Sequence, residues 1–420
     1  LTNLTGLEGL TSIGGSLKIG GNDSLTSLTG LEGLSSIGGN LEIHGNGSLT
    51  SLTGLEGITS IGEKLMITWN ASLTSLTGLE GLTSTGGDLE INNNDALTNL
   101  TGLDNLTSIG GSLKIGGDPY GGGNPSLISL TGLEGLTSIG GDLLVNWNNA
   151  LTNLTGLDNL NTVGGSFKIG IPMPPDFPQS GNQSLINLEG LENLSSIGGD
   201  LVIHGNNSLI SLAGLENLDA ASINNLFIYR NESLINCHIQ GLCDYLVSPN
   251  GTVNIYNNAP GCNTPGEIAA DCGFALPCLP NGDYYFINQS DVDNFESDYP
   301  GCTDLEGDVN IGFINGSGIT NLNGLGTITS IEGTLNIYFT NSLADLAGLD
   351  GLNTIGGSLI IGKATENGAP NNALTSLTGL EGLTSIEGNL EISNNDVLVS
   401  LTGLDNLTSI GGGLIIAGDP

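Results

Sequence analysis

The sequence predicts an all-β fold, a parallel β-solenoid of about 24-residue leucine-rich coils. It predicts two such arrays, joined by a cysteine-bearing capping region. Three observations carry this. Leu25–Ser48 (LTSLTGLEGLSSIGGNLEIHGNGS) recurs as Leu49–Ser72 (LTSLTGLEGITSIGEKLMITWNAS). Glycine contributes 69 of 420 residues while aromatics make up only 4%, a bias that points to repeats before it points to a globule. All six cysteines fall in the one stretch where the rhythm fails.

Within one coil the apolar positions are Leu25, Leu28, Leu31, Leu34, Ile37, Leu41 and Ile43. Steps of three, then four, then two fit no single helix or strand. They fit a coil of short straight runs that turn at corners, each run pointing its apolar residues inward. Leu41 and Ile43 alternate as a strand does. Gly38 and Gly39, just before them, supply a corner. A single coil cannot bury its own apolar row, so stability comes from stacking neighbours. An asparagine three residues ahead of each coil start (Asn22, Asn46, Asn70, Asn94, Asn124 and onward to Asn371 and Asn395) carries both a donor and an acceptor, and is expected to bond from coil to coil.

The rhythm divides the chain into residues 1–236 as a first solenoid, 237–277 as its cysteine-containing C-terminal cap, 278–306 as the N-terminal cap of a second array, and 307–420 as that second array. In the caps, Asn254–Asn258 reads as one last strand and asparagine corner, Gly266–Ala270 as a short capping helix, and Gln289–Tyr299 as a helix opening the second array. Cys237, Cys243, Cys262, Cys272, Cys278 and Cys302 predict disulfides and an oxidising, extracellular setting. The preferred pairing is sequential: Cys237 with Cys243, Cys262 with Cys272, Cys278 with Cys302. A zinc site is the alternative, disfavoured because no C-x2-C spacing occurs and His238 is the one nearby imidazole.

Charge narrows the function. With 43 acidic and 6 basic side chains the net charge is −37, which excludes nucleic acid or an anionic membrane surface as an electrostatic partner. No apolar run is long enough to insert into a bilayer. An acidic residue follows the third leucine of nearly every coil: Glu8, Glu32, Glu56, Glu80, Asp104, Glu134, Asp158, Glu192, Glu216, Asp350, Glu381 and Asp405. Hydrogen bonds from corner amides are the preferred account of this column. Calcium held between the carboxylates of Glu8, Glu32, Glu56, Glu80, Asp104 and Glu134 is the alternative, although no D-x-D-x-D-G loop accompanies them. No other cofactor is expected. His44 and His204 occupy one ordinary repeat position, and no serine–base or singled-out carboxylate pair supports an enzyme.

Longer coils add residues at one corner: Gly116–Ser126, Gly170–Ser184 and Gly362–Ala373. That corner also carries Trp69, Trp147, Tyr229 and Phe339, with Tyr120 and Phe177 inside the loops. One reading is local packing. The sharper one is a ligand edge whose rings stack on glycan or peptide.

The run LTGLEGLTSIGGDL at Leu130–Leu143, with an asparagine corner, resembles the leucine-rich repeats of receptor L domains. The resemblance implies a right-handed β-solenoid. It is closer still to large secreted surface proteins of Bacteroidota-type bacteria, whose cysteine-bearing cap is similar to Cys262-Asn263-Thr264-Pro265-Gly266-Glu267. Such proteins are surface, adhesion or biofilm-matrix components, so the expectation is a non-enzymatic extracellular adhesin, stalk or matrix filament segment. A receptor-like module binding glycan or peptide at the aromatic edge is the runner-up. Ice binding ranks third, because the outward ladder Thr26, Thr50, Thr74, Thr98 gives way to Ile128, Ile186, Ile210 and Val399. Leu1 opens a coil and Pro420 falls within one, so continuing repeats or copies of the chain are the expected partners at the ends.

Overall fold

The computed structural model describes residues 1–117, 122–172, 180–280, 282–312, 317–362 and 370–418. It divides into two compact units, Leu1–Tyr245 with Asn258–Pro260, and Leu246–Asn257 with Gly261–Pro420. Both contain parallel β-solenoid coils.

In the first unit each coil contributes two strands, except the last, where a 3-10 turn at Ala220–Ser222 replaces the short strand. The longer ones run in order from Leu17–Gly20 through Leu41–His44 and Leu65–Thr68 to Leu226–Tyr229, each parallel to the next. The shorter ones are two-residue strands, from Ser12–Ile13 and Ser36–Ile37 to Ser196–Ile197. Identical repeat positions pair throughout: Leu41 with Leu17 and Leu65, Ile43 with Ile19 and Ile67. The longer coils do not disturb this register, since Leu113 pairs with Leu143 and Phe167 with Leu201. Coils of different length therefore keep one strand register.

All seven expected apolar positions of the second coil are at most 2% exposed. Burying a leucine side chain contributes about 2 kcal/mol, so the stack of leucines is the main source of stability. The close approach of coils fixes residue type as well. A Cβ on Gly62 would lie 2.1 Å from the Gly38 carbonyl oxygen, and one on Gly86 would lie 2.0 Å from that of Gly62. In these coils the neighbouring backbone occupies the space of a side chain, whereas the second unit accommodates Glu332 and Glu387 at the same position.

The second unit repeats the plan. Longer strands run from Tyr284–Phe286 and Val309–Ile311 to Leu414–Ala417, and shorter ones from Asp304–Leu305 to Ser409–Ile410. Before them in the chain comes the strand Val253–Tyr256, expected over Asn254–Asn258 as the last strand of the first array. Helix α1 (Gln240–Val247) lies where the chain divides between the units. Helix α2 (Pro265–Asp271) corresponds to the expected capping helix, with the Thr264 hydroxyl accepting the Glu267 N–H at 3.1 Å. The single helix expected over Gln289–Tyr299 is two, α3 (Gln289–Asp293) and α4 (Phe295–Asp298), broken at Asn294. Asn288 and Asp291 form a capping box at the start of α3. Tyr284, Phe286, Phe295 and Tyr299 pack edge to face or tilted, with ring centroids 5.2–6.2 Å apart. This part of the second unit has an aromatic core where the coils have leucine.

All six cysteines are disulfide-bonded. Cys278 joins Cys302 across 24 residues with Cα atoms 5.1 Å apart, the pair expected from the sequence. Sulfurs in disulfides offer no thiolate to zinc.

Candidate functional site

The asparagine column is the backbone of the corner. Asn46 Oδ1 accepts the Asn22 N–H at 3.2 Å, and Asn70 Oδ1 accepts that of Asn46 at 3.1 Å. The pattern continues to Asn258, whose Oδ1 accepts the Asn231 N–H at 3.1 Å. Each Nδ2 also reaches a strand carbonyl of the preceding coil, as Asn70 does to Ile43 at 2.9 Å and Asn148 to Ile115 at 2.9 Å. From Asn46 to Asn231 these amides are completely buried and engaged, so the column is structural. In the second unit Thr340 takes the place of one asparagine, its hydroxyl donating to Asn371 Oδ1 at 2.7 Å.

One residue ahead of most ladder asparagines the backbone turns left-handed, the exceptions being Gly123, Gly181 and Pro370 in the longer coils. Glycine fills the position in several coils, with φ of 68° at Gly21 and 64° at Gly45. Elsewhere Trp69, Asn93, Trp147, Arg230, Asn257, Phe339 and Asn394 adopt φ between 53° and 62°. Bulky side chains rarely accept this region, which costs them about 1–2 kcal/mol.

Trp69 is 65% exposed. Trp147 is half-buried, and the chain returning from its neighbouring loop covers it: a Cβ on Gly123 would lie 1.8 Å from the Trp147 carbonyl oxygen. Phe339 is half-buried and meets Tyr338 edge to face at 5.9 Å. Tyr229 sits one residue earlier than expected, at the end of its strand, and the corner itself is Arg230. Its ring meets His204 edge-on at 4.7 Å. Only Trp69 of these four is therefore displayed as the ligand-edge reading required. Trp69 and Trp147 are three coils apart, about 14 Å at strand spacing, so they form no single cluster. Tyr120 and Phe177 lie outside the described residues.

Sequence alone does not single out Arg230, and it reads His204 as ordinary repeat variation. Arg230 is buried at its left-handed corner. Burial, reinforced by the Arg230 charge, pushes His204 down to about 4, so it is neutral at pH 7. Burial pushes Tyr229 up to about 12. The signal for Arg230 was its place before a ladder asparagine, where glycine is the easy choice.

The acidic column has a uniform geometry. Gly30 N–H donates to Glu32 Oε2 at 2.9 Å, Gly102 N–H to Asp104 Oδ2 at 2.8 Å, and Gly132 N–H to Glu134 Oε2 at 2.8 Å. Glu8, Glu56, Glu80, Asp158, Glu192, Glu216, Asp350, Glu381 and Asp405 accept from the equivalent glycine. The Gly6 N–H holds the Glu8 carboxyl below its usual range. Among the described residues, no three His, Cys, Asp or Glu side chains converge where a metal ion would sit. Four lysines pair with acids on adjacent coils: Lys18 with Glu42 at 3.0 Å, Lys114 with Asp88 at 3.0 Å, Lys168 with Asp142 at 3.1 Å, and Lys64 with Glu90.

Near the caps, Asp291 is buried but accepts from the Ile287 and Asn288 N–H groups at 2.7 and 3.0 Å and from Asn263 Nδ2 at 2.6 Å. Asp298 accepts from the Thr264 hydroxyl at 2.8 Å. Burial, with Glu267 and Asp291 nearby, pushes Asp298 up to about 6. These carboxylates tie helix ends and loops together.

No protein-family model matches the chain, and no curated protein does. Among solved structures the chain is similar to CroV588, a circular LRR protein, at 16% identity over 97% of this chain and 73% of that one, with a TM-score of 0.19. The leucine-rich solenoid is established by the strand register, not by that likeness.

Proposed function

We propose that this is a non-enzymatic extracellular repeat protein, a surface adhesin, stalk or matrix filament segment of the receptor-L-domain-like type found in secreted bacterial surface proteins. What supports this reading best is the use the chain makes of its polar groups. The asparagine column, the acidic column and the lysines are bonded along the solenoid, so repetition builds a scaffold rather than a reaction centre. Disulfide-bonded cysteines favour an oxidising compartment. Fluorescent antibody against the folded chain should label intact producing cells, and Fab fragments should reduce their attachment to surfaces. Labelling confined to permeabilised cells would refute the proposal.

Trp69 favours a second reading, a module binding glycan or peptide at the aromatic edge. A large exposed ring held in a costly backbone conformation is an uncommon choice without a ligand to meet. Glycan-array binding lost in Trp69→Ala would support it. Binding unchanged by that substitution would remove it.

A further inference from the structure

Two adjacent outward columns of the first unit are uncharged, and one of them displays exposed isoleucines. One starts at Thr2 and passes Thr26 and Thr98 to Ile128, Ile186, Ile210 and Ile235. Beside it runs a column of serine and asparagine, including Asn153, Asn187 and Ser211. From Thr2–Asn3 to Ile235–Asn236 neither column holds a charged residue, although the chain has 43 acidic side chains.

The first column is aligned by the main chain. Ile186 N–H donates to Thr152 O at 2.9 Å, Ile210 N–H to Ile186 O at 3.0 Å, and Ile235 N–H to Ile210 O at 3.2 Å. Its members thus stand one per coil, about 4.8 Å apart, and each is β-branched and stiff at χ1. Ile128, Ile186, Ile210 and Ile235 are 57%, 44%, 45% and 62% exposed. In the second column, Asn153 Oδ1 accepts the Thr155 N–H at 3.2 Å, Asn187 Oδ1 that of Glu189 at 3.2 Å, and Ser211 Oγ that of Ala213 at 3.0 Å. Each acceptor is thereby fixed by its own turn. The Nδ2 groups of Asn153 and Asn187 and the Ser211 hydroxyl hydrogen donate to no described residue.

The face therefore combines rows of rigid methyl groups with oriented, unused donors at a constant spacing, and without charge. An uncharged partner fits this face, since neither column carries a side chain that pairs a cation, the adjacent Glu189 lying outside them, and the net charge of −37 repels an anion. It must offer apolar patches to the isoleucines and oxygen acceptors to the amides. It must also be repetitive. Ice meets the last condition but has no apolar face for the isoleucines to cover. We propose that this face binds a neutral, linear polysaccharide packed as a surface, with C–H faces over the isoleucines and hydroxyl oxygens accepting from Asn153, Asn187 and Ser211. The proposal names the target of the adhesive reading and rests on it.

Co-sedimentation of the full chain with microcrystalline cellulose and with chitin tests this. Binding to at least one is expected, unchanged by high salt. Ile186→Thr/Ile210→Thr, which places at these positions the residue other coils carry, should weaken it at least fivefold with an unaltered melting curve. Asn153→Ala/Asn187→Ala should weaken it similarly. Retention on neither solid, or retention indifferent to both double variants, overturns the proposal. So does self-association in sedimentation velocity abolished by Ile210→Glu without polysaccharide binding, which would make the face a contact between copies. Thermal hysteresis without polysaccharide binding would overturn it in favour of ice. If Fab fragments block cell attachment while neither solid binds, this inference fails and the adhesive reading stands.

Discussion

Trp69 poses the clearest question at the scale of single residues, because the equivalent corner in the preceding coil is glycine with nearly the same φ, 64° at Gly45 against 61° at Trp69. Glycine at that position removes the left-handed penalty but enlarges the unfolded ensemble, leaving a net gain of about 0.5–1 kcal/mol for Trp69→Gly. Urea denaturation should show that gain. If the ring serves recognition, the same variant loses glycan binding while becoming more stable, a combination that loss of structure cannot produce. The asparagine column gives the opposite case. Asn124 accepts from both the backbone N–H and Nδ2 of Asn94, at 3.2 and 3.3 Å, and donates to Ile91 O at 3.0 Å and Asn148 Oδ1 at 3.1 Å. Asn124→Ala leaves several buried groups unpaired and should cost about 3 kcal/mol, whereas Asn22→Ala, at a partly exposed member, should cost about 1 kcal/mol. Equal losses at both sites would show that the column is not cooperative in the way its geometry implies.

At the scale of elements, pH should act on the two units in opposite directions. His204 binds its proton near 6.5 when unfolded but only near about 4 when folded, so the unfolded state holds more protons between those values. Its contribution is present above pH 6.5 and lost as pH falls toward about 4, roughly 3 kcal/mol in all. Asp298 is the reverse. Its folded value of about 6 lies above its ordinary 3.8, so stability is present below pH 3.8 and is lost as pH rises through about 6. Allowing for its partial exposure, that loss is on the order of 1 kcal/mol. Hydrogen exchange at pH 5 against pH 7.5 should show the strand Leu201–His204 less protected in acid and α4 more protected. His204→Asn, with the residue that Asn92 supplies at the same position, should flatten the first response and leave the second. The elements themselves were unevenly legible. Leucine spacing and the asparagine column were readable because each repeats with the coil. The Ser36–Ile37 type of strand was not, because two residues are too short to show a period. The break at Asn294 and the cluster of Tyr284, Phe286, Phe295 and Tyr299 were missed for a related reason, since they occur once and have no neighbouring copy to compare. At the candidate edge, sequence placed Trp69, Trp147 and Phe339 at one corner but could not tell an exposed ring from a half-buried one.

For the whole molecule, the balance of charge is the dominant long-range term. Four of the six basic residues are paired with acids on adjacent coils, which leaves the net −37 as repulsion spread along the solenoid surface. The acidic column contributes to it, each carboxylate hydrogen-bonded to a glycine N–H of its own coil. Neighbouring charges one coil apart repel by about 1 kcal/mol in water, and salt screens such interactions beyond a Debye length of about 8 Å at 0.15 M. Raising potassium chloride from low ionic strength should therefore raise the melting temperature progressively until screening saturates. Calcium chloride at matched ionic strength separates two origins of that effect. With carboxylates already satisfied by backbone donors and no three acidic side chains converging among the described residues, calcium should stabilise no more than potassium does. A calcium-specific rise of several degrees, reversed by chelator, would instead place an ion between Glu8, Glu32, Glu56, Glu80, Asp104 and Glu134. Glu56→Gln/Glu80→Gln distinguishes the cases further. Under screening alone it should raise the melting temperature at low salt by relieving repulsion, while under coordination it should lower it and abolish the calcium response.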